Sequence, residues 1–429
     1  MESAPSLTLP AVFFRAGRFL GFSGALFWAF FLPLSQAHQH IKATSICLFV
    51  VLAGFLACIP AFRFDSGRIR PADFRLLLPF AALALLPLLH LPLSHESALQ
   101  VVLRAPFFAV PFLLIHGWRT WPGRSNRLLA GVLAAGLLVV LALLLVQGPA
   151  ELYHRVRNLT DAGCWWVISR PYLGIWLGLM VFLVAGLAAP PERGRQARAA
   201  IIAGLTALAL AGALLAKMAF LALALCLPGW LLTLYRKNLQ LMALSALLLV
   251  TGAGTGLYRF SQTKVCQDLR NTGEIRFETL SKTYSNSINN RLLLWRAAGD
   301  LLASPESWKG YPPGELQPKL DRAVSRYNGY LETMHLNVHN QFLFMVLHHG
   351  WPGLLVWLWV WLALFGESKR AGASWFWGTF FLFICTQTEV YWDRETGVQL
   401  WVVWMFFLVA ARDEKDRLRT KAFFSTEKG

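Results

Sequence analysis

The chain has 429 residues, of which 56% are hydrophobic and 15% charged, against about 25% charged in ordinary soluble domains. That apolar excess is too large for one soluble core, so the composition excludes a soluble globular enzyme, a disordered chain and a fibrous repeat. The net charge of +17 reads first as membrane topology, because the Lys and Arg of short loops stay cytoplasmic; no nucleic acid is expected as a partner.

A spanning helix takes about 20 mostly apolar residues. Twelve such runs follow one another, at 16–35, 45–62, 74–93, 97–117, 127–147, 171–190, 199–216, 218–235, 239–258, 338–364, 373–391 and 396–411. They are continuous rather than alternating, which excludes a β-barrel. The expected fold is all-α: a polytopic membrane helix bundle of about twelve transmembrane helices with one large helical loop. It divides into 1–258 (the first nine spans), 259–337 (the loop), 338–411 (the last three spans) and 412–429, a basic tail. No small-residue cleavage site follows the first apolar run, so that run reads as a retained span.

Basic residues gather on the even-numbered connections and on both tails, for example Arg63, Arg68, Arg70 and Arg75, and Arg412, Lys415, Arg417, Arg419 and Lys421. That side holds 22 of the 40 Lys and Arg but 9 of the 23 Asp and Glu. It is therefore expected to be cytoplasmic, with both termini, and the loop 259–337 to face outward.

Candidate site residues sit toward the outer side. Arg104 lies about two turns into the fourth span, Arg170 immediately precedes Pro171, and Lys217 separates two apolar spans. An ionised group at membrane depth costs about 3 kcal/mol on insertion scales. Such a group faces a cavity and a partner, or snorkels to lipid phosphate; both readings stay open for these three. Cys164 and Cys266 fall in polar outer loops. A disulfide between them and two separate thiols are both compatible with an oxidising compartment. The other cysteines lie in apolar runs, and none of the six makes a CxxC pair or metal-site spacing.

Two helices are expected within the long loop. One starts near Asn290 and carries Arg291–Leu–Leu–Leu–Trp295; the other follows Pro312–Pro313–Gly314, with Leu316, Leu320, Val324, Tyr327 and Leu331 at helical spacing. Arg291 then falls in a first turn, where the macrodipole disfavours a cation by about 0.3–1 kcal/mol. An anion bound at the helix N-terminus accounts for that placement; so does a solvated Arg that tolerates the penalty.

The loop ends in Met334–His335–Leu336–Asn337–Val338–His339–Asn340. His339 is expected at the outer end of the tenth span, where a helix N-terminus favours a neutral imidazole able to accept a proton. His335 and His339 stand four apart, a zinc-like spacing. Neither an HExxH glutamate nor a nearby third ligand accompanies them, so no metal is expected. His348 and His349 read as packing residues deeper in the span. Glu389, Asp393 and Arg394 join the last two spans and either reach the same cavity or form an interfacial anchor with Tyr391 and Trp392.

The pattern resembles the O-antigen ligase and polymerase superfamily of bacterial inner-membrane glycosyltransferases. The resemblance rests on topology and on an ordered motif: Arg291–x–x–x–Trp295, then Pro305 and Gly310, then His339–Asn340–x–x–Leu343, then Gly350–x–x–Gly353. Where that family often has Ser–Arg at the outer end of a middle span, this chain has Ala216–Lys217, which keeps the charge and loses the guanidinium fork. The resemblance implies an inverting, metal-independent transfer without cofactor, at the periplasmic face of the inner membrane. Polysaccharide passes from an undecaprenyl diphosphate donor to a lipid A–core acceptor, in a chain that is a monomer or weak oligomer amid membrane lipids. His339 is the implied general base. By charge and placement Arg170, Arg291 and Lys217, then Arg104, are the candidate diphosphate ligands, with His335, Asn340, Glu389 and Asp393 candidates for the acceptor or for support behind it. A polymerase or protein O-oligosaccharyltransferase of the same superfamily is the alternative, and a lipid-linked-sugar flippase the alternative outside it.

Overall fold

The computed structural model describes residues 71–90, 170–187, 217–235, 287–312, 314–390 and 395–426, with isolated positions among 23–27, 128–139 and 240–271. The expected spans at 45–62, 97–117 and 199–216, and most of those at 16–35, 127–147 and 239–258, lie outside the described residues. So do Arg104, Cys164, Asp393 and Arg394. Among the described residues every regular element is helical and none is a strand.

In chain order these are α1 (Pro71–Leu85) with a 3-10 turn at Leu86–His90, α2 (Arg170–Leu187), α3 (Lys217–Tyr235), α4 (Ser287–Leu302), a 3-10 turn at Pro305–Trp308, α5 (Leu316–Ser325), α6 (Gly329–Thr333), α7 (Gln341–Ala371), α8 (Ala373–Thr386) and α9 (Glu395–Thr426). Two stretches among the described residues, Asp73–His90 and Gln341–Ala371, are long and apolar enough to cross a membrane. The elements overlap the runs and loop helices predicted for them, and three differences stand out. The second loop helix is two, because Asn328 caps a new start by accepting from the N–H groups of Tyr330 and Leu331. Helix α8 stops at Thr386, leaving Glu389 outside it. Helix α9 runs without a break into the basic tail.

Helix α8 packs against α2, α3 and α7. Glycines set these contacts by their lack of a side chain. Gly178 of α2 lies against the Phe381 ring, and Gly378 of α8 against Trp404, the close approach that small residues give membrane helices. The space between is filled by aromatics, with Trp357, Trp361 and Trp401 meeting edge to face at centroid separations of 5.1–5.8 Å. Along α7 the exposed Trp351, Leu355, Leu358 and Leu362 recur at helical spacing, an apolar stripe suited to hydrocarbon.

Helix α7 kinks at Gly350, whose backbone is left-handed (φ 64°). Two carbonyls leave the helical ladder there and find outside partners. Pro352 has no N–H to offer His348 four residues earlier; the His348 carbonyl accepts instead from His90 Nε2, 2.9 Å away. The Leu347 carbonyl accepts from the Tyr311 N–H at 2.7 Å. The loop thus docks into the kink, with the backbone of Trp308–Gly310 directly against Gly350.

At the opposite end, Arg412 of α9 is buried and binds Asp73 of α1 (2.5 Å), Glu367 of α7 (3.2 Å) and Asp413 (3.1 Å). This cluster joins three helices, as sequence-distant charges do when they share the burial cost.

Candidate active site

The site forms where α4, the segment before α7 and the segment after α8 converge. Arg291 and Trp295 are one turn apart on α4 and share a face. Arg291 donates from Nη2 to Glu389 Oε1 at 2.6 Å. Trp295 donates its indole N–H to the Val338 carbonyl at 2.8 Å. His339 Nδ1 lies 3.2 Å from the other oxygen of the same carboxylate, Glu389 Oε2. Glu389 therefore bridges Arg291 and His339.

His339 is held before the helix rather than in it. Asn340 is the N-cap of α7: its side-chain oxygen accepts from the N–H groups of Phe342 (2.9 Å) and Leu343 (3.0 Å). Its Nδ2 donates to the Gln387 carbonyl at 2.9 Å, tying the start of α7 to the end of α8. Asn337 accepts from the His339 N–H at 3.0 Å. Between these two asparagines His339 takes a left-handed backbone (φ 45°), a region His enters more readily than most residues but at some cost. The short polar side chains on either side hold that turn.

Burial pushes the Glu389 carboxyl toward protonation, but the hydrogen bond and charge of His339 and the charge of Arg291 outweigh it, holding its pKa below the ordinary carboxylate value. An ionised carboxylate only accepts. Nδ1 of His339 must then carry the proton that faces Glu389, which leaves Nε2 as the acceptor in the neutral ring.

Two sequence expectations change here. Helix α4 already includes Ser287, so Arg291 lies beyond the first turn, and the macrodipole argument for an anion there does not apply; its observed partner is Glu389. His335 and His339 do not share a helical face. Both have positive φ (46° and 45°), and His335 turns to a different acid, its Nδ1 lying 2.7 Å from Asp321 Oδ2. The side chains of Arg170 and Lys217, at the starts of α2 and α3, lie outside the described residues, as does a Cys164–Cys266 pairing. His348 and His349 are buried, as expected of packing residues.

Beside this centre lies a cavity of about 590 Å³, walled by α5, α6, the segment leading to His339 and the first turns of α7. Asp321 is its buried acid; it also accepts from Gln317 Nε2 at 2.8 Å. Sequence reading passed over this pair. The available signal was Gln317 and Asp321 one turn apart, beside the apolar Leu316, Leu320 and Val324 of the same helix.

One comparison with known families concerns the stretch from before α3 into α7. Residues 196–358 match the family described as O-antigen ligase. The match supports the O-antigen ligase superfamily. No curated protein matches the chain. That superfamily consists of bacterial membrane proteins of lipopolysaccharide biosynthesis, glycosyltransferases of the ligase and polymerase type. The matched stretch contains Arg291, Trp295 and His339. It ends before Glu389, whose pairing with Arg291 and His339 is read from the fold.

Proposed function

We propose that this chain is an O-antigen ligase: a metal-independent, inverting glycosyltransferase that moves polysaccharide from undecaprenyl diphosphate to lipid A–core at the periplasmic face of the inner membrane. The observation that carries this reading is the bridge from Arg291 through Glu389 to His339, at the junction of the loop and the spans.

In this reading the acceptor hydroxyl attacks the anomeric carbon of the donor sugar. Its proton passes to His339 Nε2 as the new carbon–oxygen bond forms. The bond from the anomeric carbon to the diphosphate oxygen breaks, and its electron pair leaves with undecaprenyl diphosphate. A single displacement from the opposite face inverts the anomeric centre. Glu389 holds His339 in the tautomer that presents Nε2 and stabilises the imidazolium that forms, the part a carboxylate plays behind a general-base histidine. Arg291 fixes Glu389 and adds positive charge beside the leaving group. Arg170 and Lys217 are the further cations proposed for the diphosphate, with Arg104 as a fourth; His335, Asn340 and Asp393 are proposed for the acceptor or its support.

The test is transfer between purified lipids with full-length protein in detergent. His339→Ala is expected to lower transfer by about 10²–10⁴-fold; wild-type rates in that variant would remove His339 from the reaction. Loss of wild-type activity in EDTA, restored by Mg²⁺ or Zn²⁺, would overturn the metal-free displacement. Transfer onto a second donor chain instead of lipid A–core would mark a polymerase.

A further inference from the structure

The 590 Å³ cavity beside His339 falls within the range of about 300–1,000 Å³ typical of small-ligand sites, and its chemistry differs from that of the reacting centre. We infer that it is a subsite for uncharged sugar rings, holding the glycan next to the reacting sugar; this deepens the proposed transfer and rests on it.

The lining supports that assignment. Asp321, Glu332, His335 and Asn337 supply hydrogen-bonding groups, while Leu320 and Phe344 supply apolar surface. A sugar ring needs this mixture, since its hydroxyls lie around the edge and its C–H groups on the faces. Asp321 is buried and fixed by Gln317 and His335, so its oxygens are pre-aimed rather than solvated. A carboxylate held this way accepts strongly from a hydroxyl.

Charge argues against a phosphate occupant. Among the described residues lining the cavity, Arg322 is the one Lys or Arg, against two acids, Asp321 and Glu332. A diphosphate needs an excess of cations, and phosphorylated core sugars would meet repulsion. The cavity wall includes Asn337 and Val338, the two residues before His339, so a ring seated there lies against the segment that positions the histidine. Acceptor core and donor polysaccharide are both sources of such rings.

The experiment measures binding and turnover separately, with the full chain in nanodiscs. Two probes are used: the core oligosaccharide freed of lipid A, and the polysaccharide freed of its lipid diphosphate. Saturable binding of either one is expected, and which one identifies the source. Asp321→Asn, and Glu332→Trp at the half-exposed rim, should each weaken that binding at least about tenfold. Each should raise KM for the corresponding lipid-linked substrate by a similar factor, with kcat nearly kept, the signature of lost uniform binding. His339→Ala should bind as wild type does. Thermal unfolding confirms that each variant is folded, and Glu332→Trp serves where Asp321→Asn is not. Wild type that binds neither glycan, or folded variants with unchanged binding and KM, would overturn the subsite. Wild type that binds a glycan but transfers no polymer would overturn the ligase reading and leave the subsite standing.

Discussion

Trp295 and Val338 are joined by a hydrogen bond from the indole N–H to the backbone carbonyl one residue before His339. The helix that carries Arg291 thus also sets the position of the histidine that shares its carboxylate. Trp295→Phe keeps the packing and removes the donor. It should cost about 1 kcal/mol of stability and, by letting His339 drift, lower transfer by about ten- to a hundredfold. Thermal unfolding and steady-state transfer together check this. A rate loss with unchanged stability would still fit, whereas unchanged transfer would show that the bond does not position His339.

The depressed pKa of Glu389 makes its contribution pH-dependent. Its native pKa lies below the unfolded value of about 4.3. The stabilisation is therefore fully present above that value and is lost as pH falls through the native one. Glu389→Gln should unfold at a lower temperature than wild type at pH 6–8, and the gap should close in stronger acid. The same variant can present its amide N–H to His339 and so favour the wrong tautomer, lowering kcat while acceptor KM holds. Partial rescue by Glu389→Asp would separate carboxylate chemistry from packing. An unfolding gap that stays constant through acid would refute the linkage.

Much of this arrangement was legible in the residues, and the rest was not, for physical reasons. The starts of α1, α2, α3, α7 and α8 fall within three residues of the starts of apolar runs, because a long apolar run has few alternatives to a helix, whereas the ends of α1, α7 and α8 differ by five to eight residues. The order Arg291, Trp295, His339 was legible as a motif. Pairing was not. Arg291 and Glu389 are 98 residues apart, and no local periodicity reports which loop returns to which. The start of α4 hid the partner as well: counted from Asn290, Arg291 falls in a first turn and takes either a bound anion or solvent, whereas in the fold it pairs with Glu389. The left-handed turn at His339 lay hidden too, since spacing alone placed it on the helix that Asn340 in fact begins.

Gly350 and Gly310 make a backbone-to-backbone contact that side chains would prevent. A Cβ on Gly350 would strike the Trp308 carbonyl, and one on Gly310 the backbone of His349 and Gly350; both residues have positive φ. Gly350→Ala and Gly310→Ala should each undock the loop and sharply reduce folded protein recovered in detergent. His90→Phe removes only the partner of the His348 carbonyl and should cost about 1–3 kcal/mol. Size-exclusion recovery and thermal unfolding rank the three. A Gly350→Ala variant as stable as wild type would mean that the kink does not require glycine.

Arg412 supplies the last test, far from the reacting centre. Its guanidinium holds Asp73 and Glu367, both almost fully buried. Arg412→Leu leaves two buried acids without that cation, and breaking a buried pair in this way costs about 3–5 kcal/mol. The loss should appear as a lower unfolding temperature and poor recovery, with the transfer rate per folded molecule nearly kept. Adding Asp73→Leu removes one acid that has lost this cation and should restore part of the stability, because the penalty comes from buried charge that Arg412 no longer offsets rather than from a missing attraction. A double variant less stable than Arg412→Leu would show instead that Asp73 holds α1 through partners other than Arg412.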